Sequence, residues 1–237
     1  MEIQRQTALR LWRIATTLMA ISAMAFLYGC GGGGGGGGGG SDSPPNTTVY
    51  DITKYTSLNT GDTLSISLTG TDTSGGRYTG FIQAVVDGPT VFEGKDVIKK
   101  TLTTIIDKTN YGTILSGTIT FYYNQDRTLY KGVVSNGVTI TPSNVFEMPT
   151  TIKVGDAYDG QDLSYSNGNT LMSNWEVVDA GNGNAIVIIT DVSNTITATR
   201  DTLSLVISPD GNILSTREVI NNFPSHGATA TFTGTVN

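Results

Sequence analysis

The sequence predicts an all-β protein: an antiparallel curved sheet, as an open half-barrel or a β-sandwich or barrel, behind a helical signal peptide and a disordered glycine linker. Three observations predict it. Beyond residue 47 apolar and polar residues alternate with period two, the mark of strands with one buried face. Gly, Asn, Asp and Pro fall where that alternation breaks. The folded part carries no 3.6-residue apolar period of an amphipathic helix. Successive strands with short links give a meander, sandwich or barrel, and not the crossovers of a nucleotide-binding α/β fold.

Taken in order, residues 1–13 are basic through Arg5, Arg10 and Arg13, and 14–27 form an uncharged apolar run. These are the n-region and h-region of a secretory signal. The run falls short of the roughly 20 apolar residues that span a bilayer. It stops at Leu27-Tyr28-Gly29-Cys30. These four residues resemble the lipobox of bacterial lipoproteins, which implies diacylglycerol transfer to the Cys30 thiol, cleavage between Gly29 and Cys30, and often a third acyl chain. Two chains hold a protein on a membrane where one binds only marginally. Cys30 is the single cysteine, so no disulfide forms within the chain.

Residues 31–40 are all glycine, and 41–48 continue with polar residues and Pro44-Pro45. With Cys30 they make a lipidated, flexible tether, 30–48, with a root-mean-square span of about 20–25 Å. The tract is no phosphate loop, because no strand precedes it and no Lys-Ser/Thr follows. Gly31 stands where, in lipoproteins of two-membrane bacteria, an Asp retains the protein in the inner membrane. The resemblance therefore implies the outer membrane, with its periplasmic or surface face left open.

The β domain is read as 49–237. Strands are expected at 62–70, 78–86, 97–106, 118–123, 128–135, 138–140, 171–178, 185–190, 195–199, 203–207, 213–220 and 228–236. In 118–123, Ile119, Phe121 and Tyr123 share one face, and Thr118, Thr120 and Tyr122 the other. Asn124-Gln125-Asp126, Asn136-Gly137, Asp87-Gly88-Pro89, Gly181-Asn182-Gly183 and Pro209-Asp210-Gly211 supply turns. Pro142 and Pro149 bracket 143–148 as a boundary between two halves, 49–142 and 149–237. A thin echo accompanies it: Thr60-Gly61-Asp62-Thr63 and Val154-Gly155-Asp156-Ala157 each open a β section, with Phe81 or Trp175 at similar distance. The second half, with Pro149 to Asp156, a strand through Trp175 and finally Leu203 to Ser215, resembles bacterial periplasmic proteins with a long curved sheet folded as an open half-barrel, a family that includes carriers of lipoproteins and glycolipids. That resemblance implies a shape and no site.

Charge and residue inventory narrow the function. The chain holds 14 Lys and Arg against 20 Asp and Glu, and loss of the leader leaves 11 against 19. Such a balance repels phosphate backbones, and Lys95, Lys99 and Lys100 form the one basic cluster of note, so nucleic acid is not expected as a partner. His226, the single histidine, lies in Phe223-Pro224-Ser225-His226-Gly227, where adjacent Ser225 points away from it on a strand; there is no Gly-x-Ser-x-Gly. Residues 179–184 invite a calcium loop, but Thr190 replaces the closing Glu, and a Gly/Asn hairpin turn explains them better. Asp156, Asp159 and Asp162 suit a polar loop. Zinc and redox metals lack ligands. Trp175, Tyr122 and Tyr123 are carried as candidate ligand-binding aromatics, weighed against a place in the core.

The resulting expectation is a non-catalytic, membrane-anchored envelope lipoprotein, without cofactor or metal, that binds an apolar or amphiphilic ligand or docks an envelope protein. The alternatives are a cell-surface adhesion or structural module and, behind it, a glycan hydrolase with two carboxylates that sequence does not single out.

Overall fold

The computed structural model of the chain describes residues 47–52, 59–125, 130–135, 138–142, 151–165, 170–193, 200–221 and 228–236. The described residues are all-β and contain no helix. The strands are β1 (Val49–Asp51), β2 (Thr63–Asp72), β3 (Arg77–Phe92), β4 (Lys95–Lys108), β5 (Gly112–Tyr123), β6 (Tyr130–Ser135), β7 (Val138–Pro142), β8 (Thr151–Lys153), β9 (Ala157–Tyr165), β10 (Thr170–Gly181), β11 (Asn184–Ser193), β12 (Arg200–Ile207), β13 (Ile213–Asn221) and β14 (Thr229–Val236).

Ten strands, β10 to β14 followed by β2 to β6, make one continuous antiparallel sheet that is open by itself. β7 and β9 bridge its edges and complete a twelve-stranded barrel. Alternation decides what faces inward. Ile66, Leu68, Ile82, Leu102, Ile106, Ile119, Phe121, Val187, Ile189, Leu203, Leu205 and Phe232 are buried in one core cluster. Their neighbours along β2 and β14 are hydroxyl residues, paired across the seam as Ser67 with Thr235, Thr69 with Thr233 and Thr71 with Thr231. At the β14–β2 seam the inside is apolar and the outside bears hydroxyls, whereas the outer face of β10 to β12 carries half-buried Val178, Ile186, Ile188 and Val206.

The core is closed at one pole. β1 and β8 pair with each other outside the barrel sheet, as Tyr50 with Ile152. Tyr50, Ile52 and Ile152 are buried in the barrel's own core cluster. The Tyr50 hydroxyl donates to the Gly183 carbonyl at 2.9 Å. A Cβ on Gly211, which has φ +75°, would fall on the Asp51 carbonyl oxygen. The two-stranded ribbon is thereby fastened to the β10–β11 and β12–β13 turns as a cap.

The two halves of the chain repeat one plan. Each begins with a short cap strand, turns through Gly-Asp, and continues as six strands of the barrel. The turns match bond for bond. The Gly61 amide donates to the Val86 carbonyl at 2.8 Å, and the Val86 amide to the Asp62 carbonyl at 3.0 Å. In the second half the Gly155 amide donates to Val177 at 2.9 Å, and the Val177 amide to Asp156 at 2.8 Å. Asp62 and Asp156 each accept the amide three residues upstream, from Asn59 at 2.6 Å and Lys153 at 2.9 Å. Both glycines have φ +93°, the left-handed region open to glycine. The antiparallel β1–β8 pair and the two seams, β14–β2 and β7–β9, sit where a two-fold relation places them. The aromatic part of the echo is not equivalent: Phe81 faces out, whereas Trp175 is buried in the core.

Two further expectations are corrected, and two short strands are added. Asp87-Gly88-Pro89 is not a turn. β3 runs through it with a bulge between Val86 and Gly88, and the chain reverses at Glu93-Gly94. Gly88 adopts φ +105°, and Pro89 lies beyond the end of β2, where among the described residues no partner strand on that side asks for its missing N–H. Glu93 and Gly94 have φ 50° and 74°, and Asn182 and Gly183 have 54° and 77°, the double left-handed geometry of tight hairpins. Asp159 and Asp162 are not in a loop: they belong to β9, which pairing with β10 draws into the barrel. β1 and β8, each three residues long, are cap strands that alternation over longer windows does not register. The signal region with Gly29 and Cys30, the tether to residue 46, Asn136-Gly137, 143–150, the expected strand 195–199 and His226 lie outside the described residues.

Candidate functional site

The richest grouping of exposed chemistry is at the capped pole. β3 and β4 run past their neighbours there: β2 pairs with β3 only as far as Val85, and β5 with β4 only as far as Ile98. Among the described residues the tip of this hairpin, Val91 to Asp96, pairs only with itself. Val91 is 64 % exposed. Phe92 folds onto Tyr122 of β5, rings stacked 4.1 Å apart and 10° from parallel. Lys99 lies 3.7 Å from Asp87, which also accepts the Thr101 hydroxyl. Glu93, Lys95 and Asp96 are exposed around the tip. The tip therefore joins one bare apolar side chain, a stacked aromatic pair and charges of both signs.

At the opposite pole a buried polar cluster fixes the β2–β3 turn. Asp72 Oδ1 accepts the Ser74 and Gly76 amides, each at 2.8 Å, and Oδ2 accepts the Tyr78 hydroxyl. Lys108 Nζ stands 3.8 Å from Oδ2 and 5.5 Å from the ring centroids of both Tyr78 and Tyr111. The Tyr78 hydrogen bond, with the two amides and Lys108, holds the Asp72 carboxyl below the usual carboxylate range against the opposing effect of burial. Burial, then the hydrogen bond to Asp72 and its charge, push the Tyr78 phenol up. A Cβ on Gly76 would strike Asp72 and the Tyr78 hydroxyl, so the glycine is part of the cluster. The arrangement locks a turn and holds a fixed charge.

The candidate aromatics separate. Tyr122 is half-buried on the outer face beneath Phe92. Tyr123 and Trp175 are core residues, and burial pushes the Tyr123 phenol up. The lysines do not form one patch, because Lys99 is paired with Asp87 and alternation places Lys100 on the other face of β4. In the stretch read as a hairpin turn, Asp179 accepts the Gly181 amide at 3.1 Å and the chain reverses at Asn182-Gly183. Among the described residues no three His, Cys, Asp or Glu side chains gather as a metal site.

Sequence inspection missed the hairpin tip because Asp-Gly-Pro looks like the end of a strand; the Val-Phe-Glu-Gly-Lys run just beyond it held the true turn. The Asp72 cluster did leave a signal, Asp72-Thr73-Ser74-Gly75-Gly76, in which a carboxylate can cap the amides two and four residues on. Comparison with protein-family models, curated proteins and solved structures finds no match.

Proposed function

We propose that this chain is a non-catalytic envelope lipoprotein, anchored through Cys30 in the outer membrane, whose barrel is a rigid docking module for an envelope partner and not a vessel for an internal ligand. The observation that carries the docking reading is the barrel interior. A lumenal carrier needs inward side chains with surface left for a guest. Among the described residues, Val133, Ala185, Val187, Leu203, Leu205, Ile207 and Ala230 are fully buried, all in one core cluster with Tyr50, Ile52 and Ile152 of the cap. The hydroxyl-bearing outer face at the β14–β2 seam favours water or a polar partner over acyl chains. The anchor rests on the lipobox resemblance and on the tether that follows it.

Membrane fractionation of wild type and Cys30→Ala in a host that processes lipoproteins tests the anchor. The wild type is expected in the outer-membrane fraction at the molecular weight of the cleaved chain, and the variant as an unprocessed precursor. An unchanged distribution and size for Cys30→Ala would refute the anchor.

A further inference from the structure

We infer that the barrel stands on its membrane with the capped pole down, and that the tip of the β3–β4 hairpin, Val91 to Asp96, meets the zwitterionic headgroup layer. The inference rests on the lipoprotein reading and adds an orientation and a contact surface to it.

The first support is where the chain leaves the described domain. Upstream of Thr48 the sequence runs 18 residues back to Cys30. A glycine-rich chain of that length has a root-mean-square span of about 20–25 Å. It joins the barrel through β1, and β1 belongs to the cap, held by Gly183 and lying against Gly211. Twelve-residue strands such as β5 and β10 extend about 40 Å along their own direction. The far pole, with the 73–76 and 109–111 turns, would reach the bilayer only with those 18 residues drawn well beyond that span, toward their extended length of about 60 Å, so the cap is the pole held nearest the membrane.

The second support is the chemistry of the pole that faces down. The hairpin lies on the same pole as the cap: a Cβ on Gly88 would meet Thr60, just before the Gly61 turn that precedes β2. Its tip offers bare Val91 and the Phe92–Tyr122 stack, and aromatic and apolar groups are favoured where headgroups meet acyl chains. Exposed Lys95 complements lipid phosphate, and exposed Glu93 and Asp96 complement lipid ammonium. A headgroup layer with both charges satisfies both sets, whereas an anionic layer would repel the two acids.

The test uses the full lipidated chain in vesicles of phosphatidylethanolamine and phosphatidylcholine. Acylation consumes the Cys30 thiol, so Val91→Cys and Tyr111→Cys each present a single thiol to a polarity-sensitive fluorophore. Both positions are exposed, Tyr111 at 78 % and on the far pole. The inference predicts a blue-shifted label at 91, quenched several-fold more strongly by nitroxide-bearing lipid than the label at 111. Equal quenching at the two positions, or stronger quenching at 111, would overturn it and leave the anchor standing. Wild-type protein is the control: uptake of label would mean a free Cys30 thiol, and the anchor would fail together with the inference.

Discussion

The Tyr78 hydroxyl donates its hydrogen bond to a carboxylate, Asp72, whose side chain is 1 % exposed and whose nearest cation, Lys108, stands 3.8 Å away. The pair ties β2 to β3 and, through the ring contact of Tyr78 with Phe232 at 5.7 Å, to β14. One carboxylate thus organises a turn and three strands at the pole opposite the cap.

Replacing that charge has a pH signature. Asp72→Asn keeps the shape, loses the charge-assisted bonds and is expected to cost about 2–3 kcal/mol at neutral pH. The folded-state carboxyl is depressed, so its contribution is complete above the unfolded value of about 3.9 and fades as pH falls through the folded value. Tyr78 is raised, so its contribution is complete below the unfolded value of about 10 and fades as pH rises beyond it. Urea melts from pH 7 to pH 2 should show wild type and Asp72→Asn converging at the acid end. A constant gap would argue against the carboxylate.

The cap depends on a close backbone approach. Gly211→Ala places a methyl on the Asp51 carbonyl in a left-handed conformation, and is expected to cost at least about 2 kcal/mol and to unseat β1. Tyr50→Phe, which loses only the bond to Gly183, should cost about 1 kcal/mol. Amide exchange at Asp51 and Ile152 reads the cap directly, and should accelerate far more in the glycine variant.

Glycines along the barrel wall have opposite expected outcomes. A Cβ at Gly234 would overlap Thr216 and Ile66, so Gly234→Ala should destabilise by about 2 kcal/mol or more. A Cβ at Gly117 meets nothing, and its φ is ordinary, so Gly117→Ala should be neutral or add about 0.5 kcal/mol by restricting the unfolded chain. Thermal melts that rank the two alike would contradict the packing described here.

The two equivalent seams differ in strength. β14 and β2 share seven registered residue pairs, and β7 and β9 share three. Backbone amides along 138–142 should therefore exchange before those of 229–236 in native-state hydrogen exchange. The reverse order would place the weak seam elsewhere.

Much of the fold was legible because alternation and turn chemistry are local. Ile119, Phe121 and Tyr123 face inward as their spacing predicts, and Gly181-Asn182-Gly183 turns the chain where expected. What eluded sequence reasoning was set by distant partners. Pro89 sits in a strand because β2 ends before it, and Asp159 and Asp162 enter a strand because β10 and β7 supply their neighbours' hydrogen bonds. The cap strands are stabilised only by each other and the core. The repeat was visible as Gly-Asp in both halves, but its force lies in matching backbone bonds that letters do not display. For the candidate aromatics, alternation already set Tyr122 and Tyr123 on opposite faces, and the structure adds that Trp175 joins Tyr123 in the core.

The proposal of a lipid-anchored barrel whose described interior is packed without room for a guest is tested most directly by native mass spectrometry of the full protein, extracted from membranes in mild detergent. The account predicts a chain that begins at an acylated Cys30 and carries no further bound molecule. A chain retaining residues 1–29 with an unmodified thiol, or a stoichiometric amphiphile released on unfolding, would contradict it.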